Sequence, residues 1–471
     1  MRRSALTTVL ALGLFAAAVL TTAATVPVRA DESPGTAFVN VTVIPMDREQ
    51  AVPNQTVIVR EGSIVAVGPT ASTPVPDGVT RIDGKGRFLL PGLADMHVHL
   101  WSELELPLFL ANGVTTIRNM WGSPLHQSLQ TRVESGDLPG PTIYTTGPIV
   151  DGVPPIWPQS VSVKNAEEAR AEVERQKAAG YEAVKVYSNL SQESYDAIVA
   201  AAKESGMRVD GHVPSAVGVE AALAAGHRII EHLTEYVAAV KRDDFELKAS
   251  DFRSRMKAAH GADPKKIDAI AKASKDAGAW NCVTLVVMQR FADTADGLAP
   301  SWLARPEMRY VSPQTKAFWD PKSDFRMQGM TEEAIRDIRK ANEVNARITR
   351  ALHDAGAGIL LGTDTPNPLV VPGFAIHDEL ENLVRAGLSP YAALRTGTVN
   401  AAEALDREGE FGVIRTGSRA DLLLLDANPL TGLATLRKPV GVMSRGRWLD
   451  AAALHERLEA VATSYGSTDE R

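Results

Sequence analysis

The chain has 471 residues, of which 44% are apolar and 23% charged, with a formal net charge of −7. This is the composition of a globular protein with a sizeable core; it excludes a disordered or fibrous chain, and with no basic stripe it gives no reason to expect nucleic acid. Cys282 is the only cysteine, so no intramolecular disulfide forms, and its place in the apolar run WNCVTLVV predicts a buried, inert thiol.

Arg2 and Arg3 precede an apolar run over residues 5–20, followed by Val28-Arg29-Ala30. That is the layout of a secretory signal peptide spanning 1–30 and cleaved after Ala30. The run is short for a membrane span and nothing later approaches its hydrophobicity, so the expectation is a soluble periplasmic or secreted protein. The paired arginines lack the rest of a twin-arginine signal, which favours the general secretory route. Residues 56–60 and 63–67 read as strands separated by a hairpin-type turn at Glu61-Gly62. Eight short β-rich runs follow, at 91–99, 114–120, 142–149, 183–188, 207–213, 228–233, 280–287 and 358–365. Between them, segments such as 165–179, 191–205 and 216–225 carry apolar residues at helical spacing. Strands alternating with helices form a parallel sheet, and eight of them close a (β/α)8 TIM-type barrel over 91–408. Residues 422–425 and 440–443 are further strands, 451–462 a helix and 464–471 a frayed tail.

Chemistry gathers at the strand ends. His97 and His99 stand in ADMHVH, Lys185 in AVKVY, His212 in DGHVP, His232 in IIEHL and Asp364 in GTDT. In such barrels the strand ends supply reactive groups to one shared face. The two-residue period of a strand makes His97 and His99 project together, and turns Lys185 and Tyr187 inward while Val184 and Val186 face the helices. A lysine pointing into a barrel is costly unless it is paired or chemically altered. Each residue alone has an ordinary reading: a core histidine, a solvated strand lysine, a turn or helix-cap aspartate. Four imidazoles, one amine and one carboxylate in strand-end register instead make a binuclear metal site.

The ordered set, with PGLADMHVH near its start and GVIRTGSRADLLLLDANPL near its end, resembles the amidohydrolase superfamily, in its imidazolonepropionase-like and Xaa-Pro dipeptidase-like branch, from about residue 38 to about 450. The resemblance implies a small β-sandwich made by both chain ends, 31–90 with 409–450, beside the barrel, and a C-terminal helix and tail over 451–471. It implies two divalent metal ions bridged by carboxylated Lys185, with His97, His99 and Asp364 on the more buried ion and His212 and His232 on the other. Zinc suits these ligands, as do manganese, cobalt and iron. Asp364 would act as general base toward the attacking water and then as acid toward the leaving nitrogen. Tyr187 is a second catalytic candidate, through a hydrogen bond to the substrate carbonyl, with packing as an equal alternative. The expected activity is hydrolysis of an amide in a small molecule, of the dipeptide or N-acyl amino acid type. A lactonase or esterase on the same residues, and a catalytically silent binding protein, stay open as alternatives. No nucleic-acid or membrane partner is expected once the leader is removed, and a homo-oligomer is left open.

Arg118, in TTIRNMW, reads either as a binder of a substrate carboxylate or as a structural ion pair; relatives often carry Arg-Asp here, where this chain has Arg118-Asn119. His126 and His377, just beyond the second and eighth strands, are read as lying outside the metal site, and His227, His260, His353 and His455 as ordinary surface residues. Residues 288–329 are too long for an ordinary connection and hold Phe291, Trp302, Tyr310, Phe318, Trp319 and Phe325. They are expected to form an aromatic lid that favours a hydrophobic substrate group.

Overall fold

Strand Thr36–Val43 lies at the middle of a sheet that continues antiparallel through Val52–Arg60 and Ser63–Pro69. At their hairpin, Glu61 and Gly62 both take positive φ, 48° and 75°, the turn geometry that follows the natural strand twist. The computed structural model describes residues 35–247, 252–322, 324, 326–328 and 330–466. The leader expected over 1–30, Phe325 and the last residues of the tail lie outside them.

The two chain ends meet in this one sheet. Leu422–Leu425 pairs antiparallel with Phe88–Pro91, and Gly441–Ser444 and Arg447–Asp450 extend the same edge, giving eight strands in all. Phe38, Val57, Ile64, Leu89, Leu422 and Met443 form its apolar cluster. Phe88–Pro91 then runs through Gly92 directly into the first barrel strand, so the sheet is anchored to the barrel at its entrance.

The eight barrel strands are β1 (Leu93–Val98), β2 (Val114–Asn119), β3 (Thr142–Thr145), β4 (Ala183–Val186), β5 (Arg208–Gly211), β6 (Ile229–Glu231), β7 (Trp280–Cys282) and β8 (Gly358–Leu360). The pairs β1–β2 and β2–β3, and each successive pair from β4 to β8, are parallel, as helical crossovers require. The run expected as one third strand over 142–149 is two pieces: β3 pairs with β2, and a second piece, Ile149–Asp151, pairs with β4. Between β8 and β1 the wall is closed by Met96 N–H to Leu361 O, Asp364 N–H to His97 O and His99 N–H to Thr365 O, all at 2.7–2.8 Å.

Helices pack around this wall against one continuous core that takes in Val184 and Val186. Their starts follow side-chain chemistry: Asn165 caps Ala166–Ala178 and Ser191 caps Gln192–Ser205 through bonds to Glu168 N and Ser194 N. Such a cap contributes about 1 kcal/mol. The apolar run 280–287 does not continue as a strand. It stops at Cys282, Thr284 adopts a left-handed backbone (φ 45°), and the rest opens helix Leu285–Ala295. Apolar runs of this length do not distinguish a buried strand from a buried helix. The segment expected as a long lid loop is likewise largely helical, through Ala299–Leu303, Pro306–Tyr310 and Pro313–Phe318.

The buried Glu379 carboxylate accepts from Leu285 N and Val286 N at 2.9 and 2.6 Å, capping that helix from a distance. Burial pushes its carboxyl up to about 8 from 4.5. The folded chain therefore holds a proton that the unfolded chain releases, and stability falls as pH rises between about 4.5 and 8. Glu379→Gln is expected to make the fall in unfolding free energy between pH 5 and 8 shallower, by up to about 1.4 kcal/mol per pH unit. Chemical denaturation at a series of pH values measures it, and an unchanged slope contradicts the assignment.

Candidate metal centre

Three of the expected ligand positions depend on backbone that leaves the regular strand. His232 (φ 64°) and Asp364 (φ 56°) both sit in the left-handed region just past β6 and β8, and Gly211 (φ 131°) precedes His212. Non-glycine residues rarely adopt such conformations, and where they do the surrounding structure holds them there. Gly362 shows how tight the floor is: a Cβ there would meet Cys282 Sγ at 2.3 Å and His97 Cβ at 3.1 Å.

The six expected positions converge. Asp364 Oδ1 lies 3.2 Å from His97 Nε2 and 3.1 Å from His99 Nε2, and its Oδ2 lies 3.6 Å from His232 Nε2. The His232 ring stands 4.9 Å from that of His97 and 4.8 Å, edge-on, from that of His212. Lys185 is fully buried, and its Nζ has no hydrogen-bond partner among the described residues. His97 Nε2 and Asp364 Oδ1 share that condition despite their closeness. Burial holds the His97 and His212 imidazoles well below their ordinary value and lowers His232, which favours the neutral form that can donate a lone pair. Burial also lowers the Lys185 amine, more than Glu231 and Asp364 raise it. Burial pushes the Asp364 carboxyl up, but the surrounding imidazoles outweigh this and hold it below the usual carboxylate range.

Each of three rings is oriented through its other nitrogen. His97 Nδ1 meets Glu231 Oε2 at 2.6 Å, His212 Nδ1 meets Ser188 Oγ at 3.0 Å and His232 Nδ1 meets Thr284 Oγ1 at 2.6 Å. Metal-binding histidines are held in this way, with the far nitrogen fixing ring and tautomer. Imidazole Nε2 atoms around a carboxylate, beside a buried amine with no hydrogen-bond partner among the described residues, are a donor set that fits a divalent metal. His97, His99 and Asp364 alone bring three ligand atoms within 4.8 Å of one another. Cys282 is buried as expected, and burial pushes its thiol up.

The cavity in front of these groups holds about 930 Å³, with His99, His212, His232 and Asp364 at its base. Its walls are aromatic: Trp101, Trp121, Trp157, Tyr187, Phe291 and Phe318 line it. Tyr187 stacks on His212, ring centres 3.9 Å apart, and its hydroxyl accepts from Trp157 Nε1 at 2.9 Å, leaving its own proton available to donate. Of the aromatics expected in a lid, only Phe291 and Phe318 line this cavity among the described residues. Trp302 lies on the Arg290 and Arg305 guanidiniums, Trp319 donates to Pro366 O, and Tyr310 stacks on Phe374. They hold the segment to the barrel.

Arg118 does not reach the cavity. It is buried below the site, donating to Glu231, to Asp210 at 3.1 Å and to Met96 O at 2.8 Å, so it is the structural ion pair. His227 is no surface residue: it is buried, with Nδ1 at 3.2 Å from the Tyr195 hydroxyl. His126 and His377 bond to Leu100 O and Asn112 Oδ1. His260 pairs with Asp337, and His455 is exposed. Glu231, Asp95, Ser188 and Thr284 went unread in the sequence. Asp95 ties β1 to the last ligand loop, accepting from Thr363 N and Thr363 Oγ1 at 2.9 and 2.6 Å. For Glu231 there was a signal, its place directly before His232 at a strand end.

A parallel eight-stranded barrel with histidines and an aspartate on strand ends defines a class of metal-assisted enzymes. Residues 88–449 match the model of the amidohydrolase family, and the chain belongs to that family. The solved structure of a bottromycin amidohydrolase superposes with a TM-score of 0.75 at 26% identity, covering 93% of this chain and 92% of that one. A putative prolidase from Bifidobacterium longum gives 0.65 at 25% identity, covering 91% and 99%. The imidazolonepropionase of Rubrobacter xylanophilus is 47% identical over 83 residues, 17% of this chain and 19% of that protein. The chain thus aligns with only about a fifth of that curated relative's length.

The unpartnered Lys185 amine has a consequence for the metal-free protein. A buried polar group without a partner costs about 1–3 kcal/mol. Metal-free Lys185→Met is expected to be more stable than metal-free wild type by about that amount, measured by denaturant unfolding after chelation. A less stable variant would mean that the amine is compensated.

Proposed function

We propose that the protein is a metal-dependent hydrolase of amide bonds in small molecules, of the dipeptide or N-acyl amino acid type, exported through its leader. The observation that carries the reading is the convergence of His97, His99 and His232 Nε2 on the Asp364 carboxylate, beside the buried amine of Lys185. His97, His99, His212, His232 and Asp364 would hold two divalent ions, zinc being the ion that suits them. Lys185, once its neutral amine has taken up carbon dioxide and released a proton, would bridge them as a carbamate. When bound, such ions acidify water and polarise a carbonyl.

The chain's own groups supply the rest. Asp364 is ionised, the state a general base needs, and it faces both the imidazoles and the cavity. It takes a proton from the attacking water and returns it to the leaving nitrogen. Tyr187 donates its remaining proton toward the substrate carbonyl oxygen. The aromatic walls bind an apolar group and keep bulk water from the carbonyl.

The test is chelation. Dialysis against a chelator is expected to remove close to two divalent ions per chain and to abolish hydrolysis across a panel of dipeptides and N-acyl amino acids, with zinc restoring it. Chelator-resistant activity contradicts the reading, and turnover of esters or lactones with every amide inert replaces amide by ester as the substrate bond. Lys185→Ala is expected to lose most activity and to regain part of it with short carboxylic acids; full activity in this variant would exclude a bridging role.

Specificity follows the walls. Burying a large apolar side chain is worth about 1.5–3 kcal/mol, or roughly ten- to more than a hundredfold in kcat/KM. Trp121→Ala and Phe318→Ala are expected to lower the kcat/KM ratio of bulky over small amide substrates within that range. Trp302→Ala and Trp319→Ala should leave it unchanged. The same ratio in all four variants would remove the walls from substrate selection.

A further inference from the structure

His97 is the most enclosed of the ligands, and its far side is built of charge. Its Nδ1 meets Glu231 Oε2 at 2.6 Å, and the other oxygen of the same carboxylate accepts from Arg118. Arg118 is fixed in turn by Asp210 at 3.1 Å and by Met96 O at 2.8 Å, on the strand that carries His97. All four side chains are buried. We propose that Glu231 is a positioning residue that makes His97 a metal ligand, by keeping the imidazole proton on Nδ1 and turning a bare Nε2 toward Asp364. This rests on the metal reading above.

The reasoning is a count of donors and acceptors. An arginine has only donors, and a carboxylate only acceptors. One Glu231 oxygen faces the Arg118 guanidinium and the other faces His97, so the ring nitrogen between them must carry the hydrogen. A glutamine in the same place offers one oxygen and one NH2 group. Arg118 claims the oxygen, because the alternative sets two donors against each other. The NH2 group then faces His97, whose Nδ1 must accept, and the ring proton moves to Nε2, the nitrogen meant for the metal. Removing one charge without changing this count is a different perturbation. Asp210→Asn provides it: Asp210 also answers Arg118 from a buried position, yet no hydrogen bond joins it to His97 among the described residues.

The experiment is zinc binding by the full chain, in competition with a chromophoric chelator, for wild type, Glu231→Gln and Asp210→Asn. Loss of a partner that orients a ligand costs about 10–100-fold in metal affinity. That loss is expected for Glu231→Gln, with Asp210→Asn staying close to wild type. Equal losses in both would make Glu231 one buried charge among others, and undiminished affinity in Glu231→Gln would also overturn the proposal. If wild type takes up no zinc, the metal reading fails by itself. The tautomer then decides the positioning role, as it does if Glu231→Gln does not fold. Nitrogen-15 spectra of histidine-labelled, metal-free wild type should show a proton on His97 Nδ1, and an Nδ1 without one would refute the assignment.

Discussion

The seam between the first and last barrel strands is the constraint on which the site depends. Asp364 N–H bonds to His97 O while His99 N–H bonds to Thr365 O, so the backbone that closes the barrel also sets the spacing of the two histidines and the aspartate. Residues far apart in sequence are held together by peptide hydrogen bonds, with the Asp95 carboxylate on Thr363 beside them. This matters because three imidazoles and an amine crowd one carboxylate without forming a satisfied network. Left to side-chain energetics alone, such a cluster would spread apart or draw in water. The rigid wall keeps it assembled, which is the preorganisation that a metal site or a reactive centre requires.

Beneath the seam the barrel interior is polar in a specific way. Arg118 answers Glu231 and Asp210 there, while Asp95 takes three donors from the chain around it. Each carboxylate ties together elements that must stay in register if the ligands above are to meet. The outward faces of the same strands carry Val184 and Val186 into the helical shell, so a single two-residue alternation separates the chemistry from the packing.

Much of this could be read from the sequence. Each of the eight β-rich runs holds a barrel strand, although the third reaches into a second strand piece and the seventh runs on into a helix, because parallel barrel strands are short apolar stretches. The alternation that placed His97 with His99 and Lys185 with Tyr187 is a property of the backbone and needs no tertiary information. What escaped has physical reasons. His232 and Asp364 were legible as site residues, but not the positive φ at which they stand, which no periodicity encodes. Glu231 stands beside a histidine in the sequence, but its meeting with Arg118, from another strand, exists only in the folded chain. The segment after β7 read as a loop because its helices are short and begin at prolines, and its aromatics proved to divide between the cavity and the barrel surface.

The joining of the chain's two ends also orders events in time. Strand Leu422–Leu425 pairs with Phe88–Pro91, which leads straight into β1, and the seam needs residues 361–365. Contacts of such long range bring a large loop-closure entropy and form late. In the order of synthesis His97 and His99 come early, while Asp364 comes in the last quarter of the chain. A complete ligand cluster therefore belongs only to the finished fold, and a partly made or truncated chain has no means of assembling it.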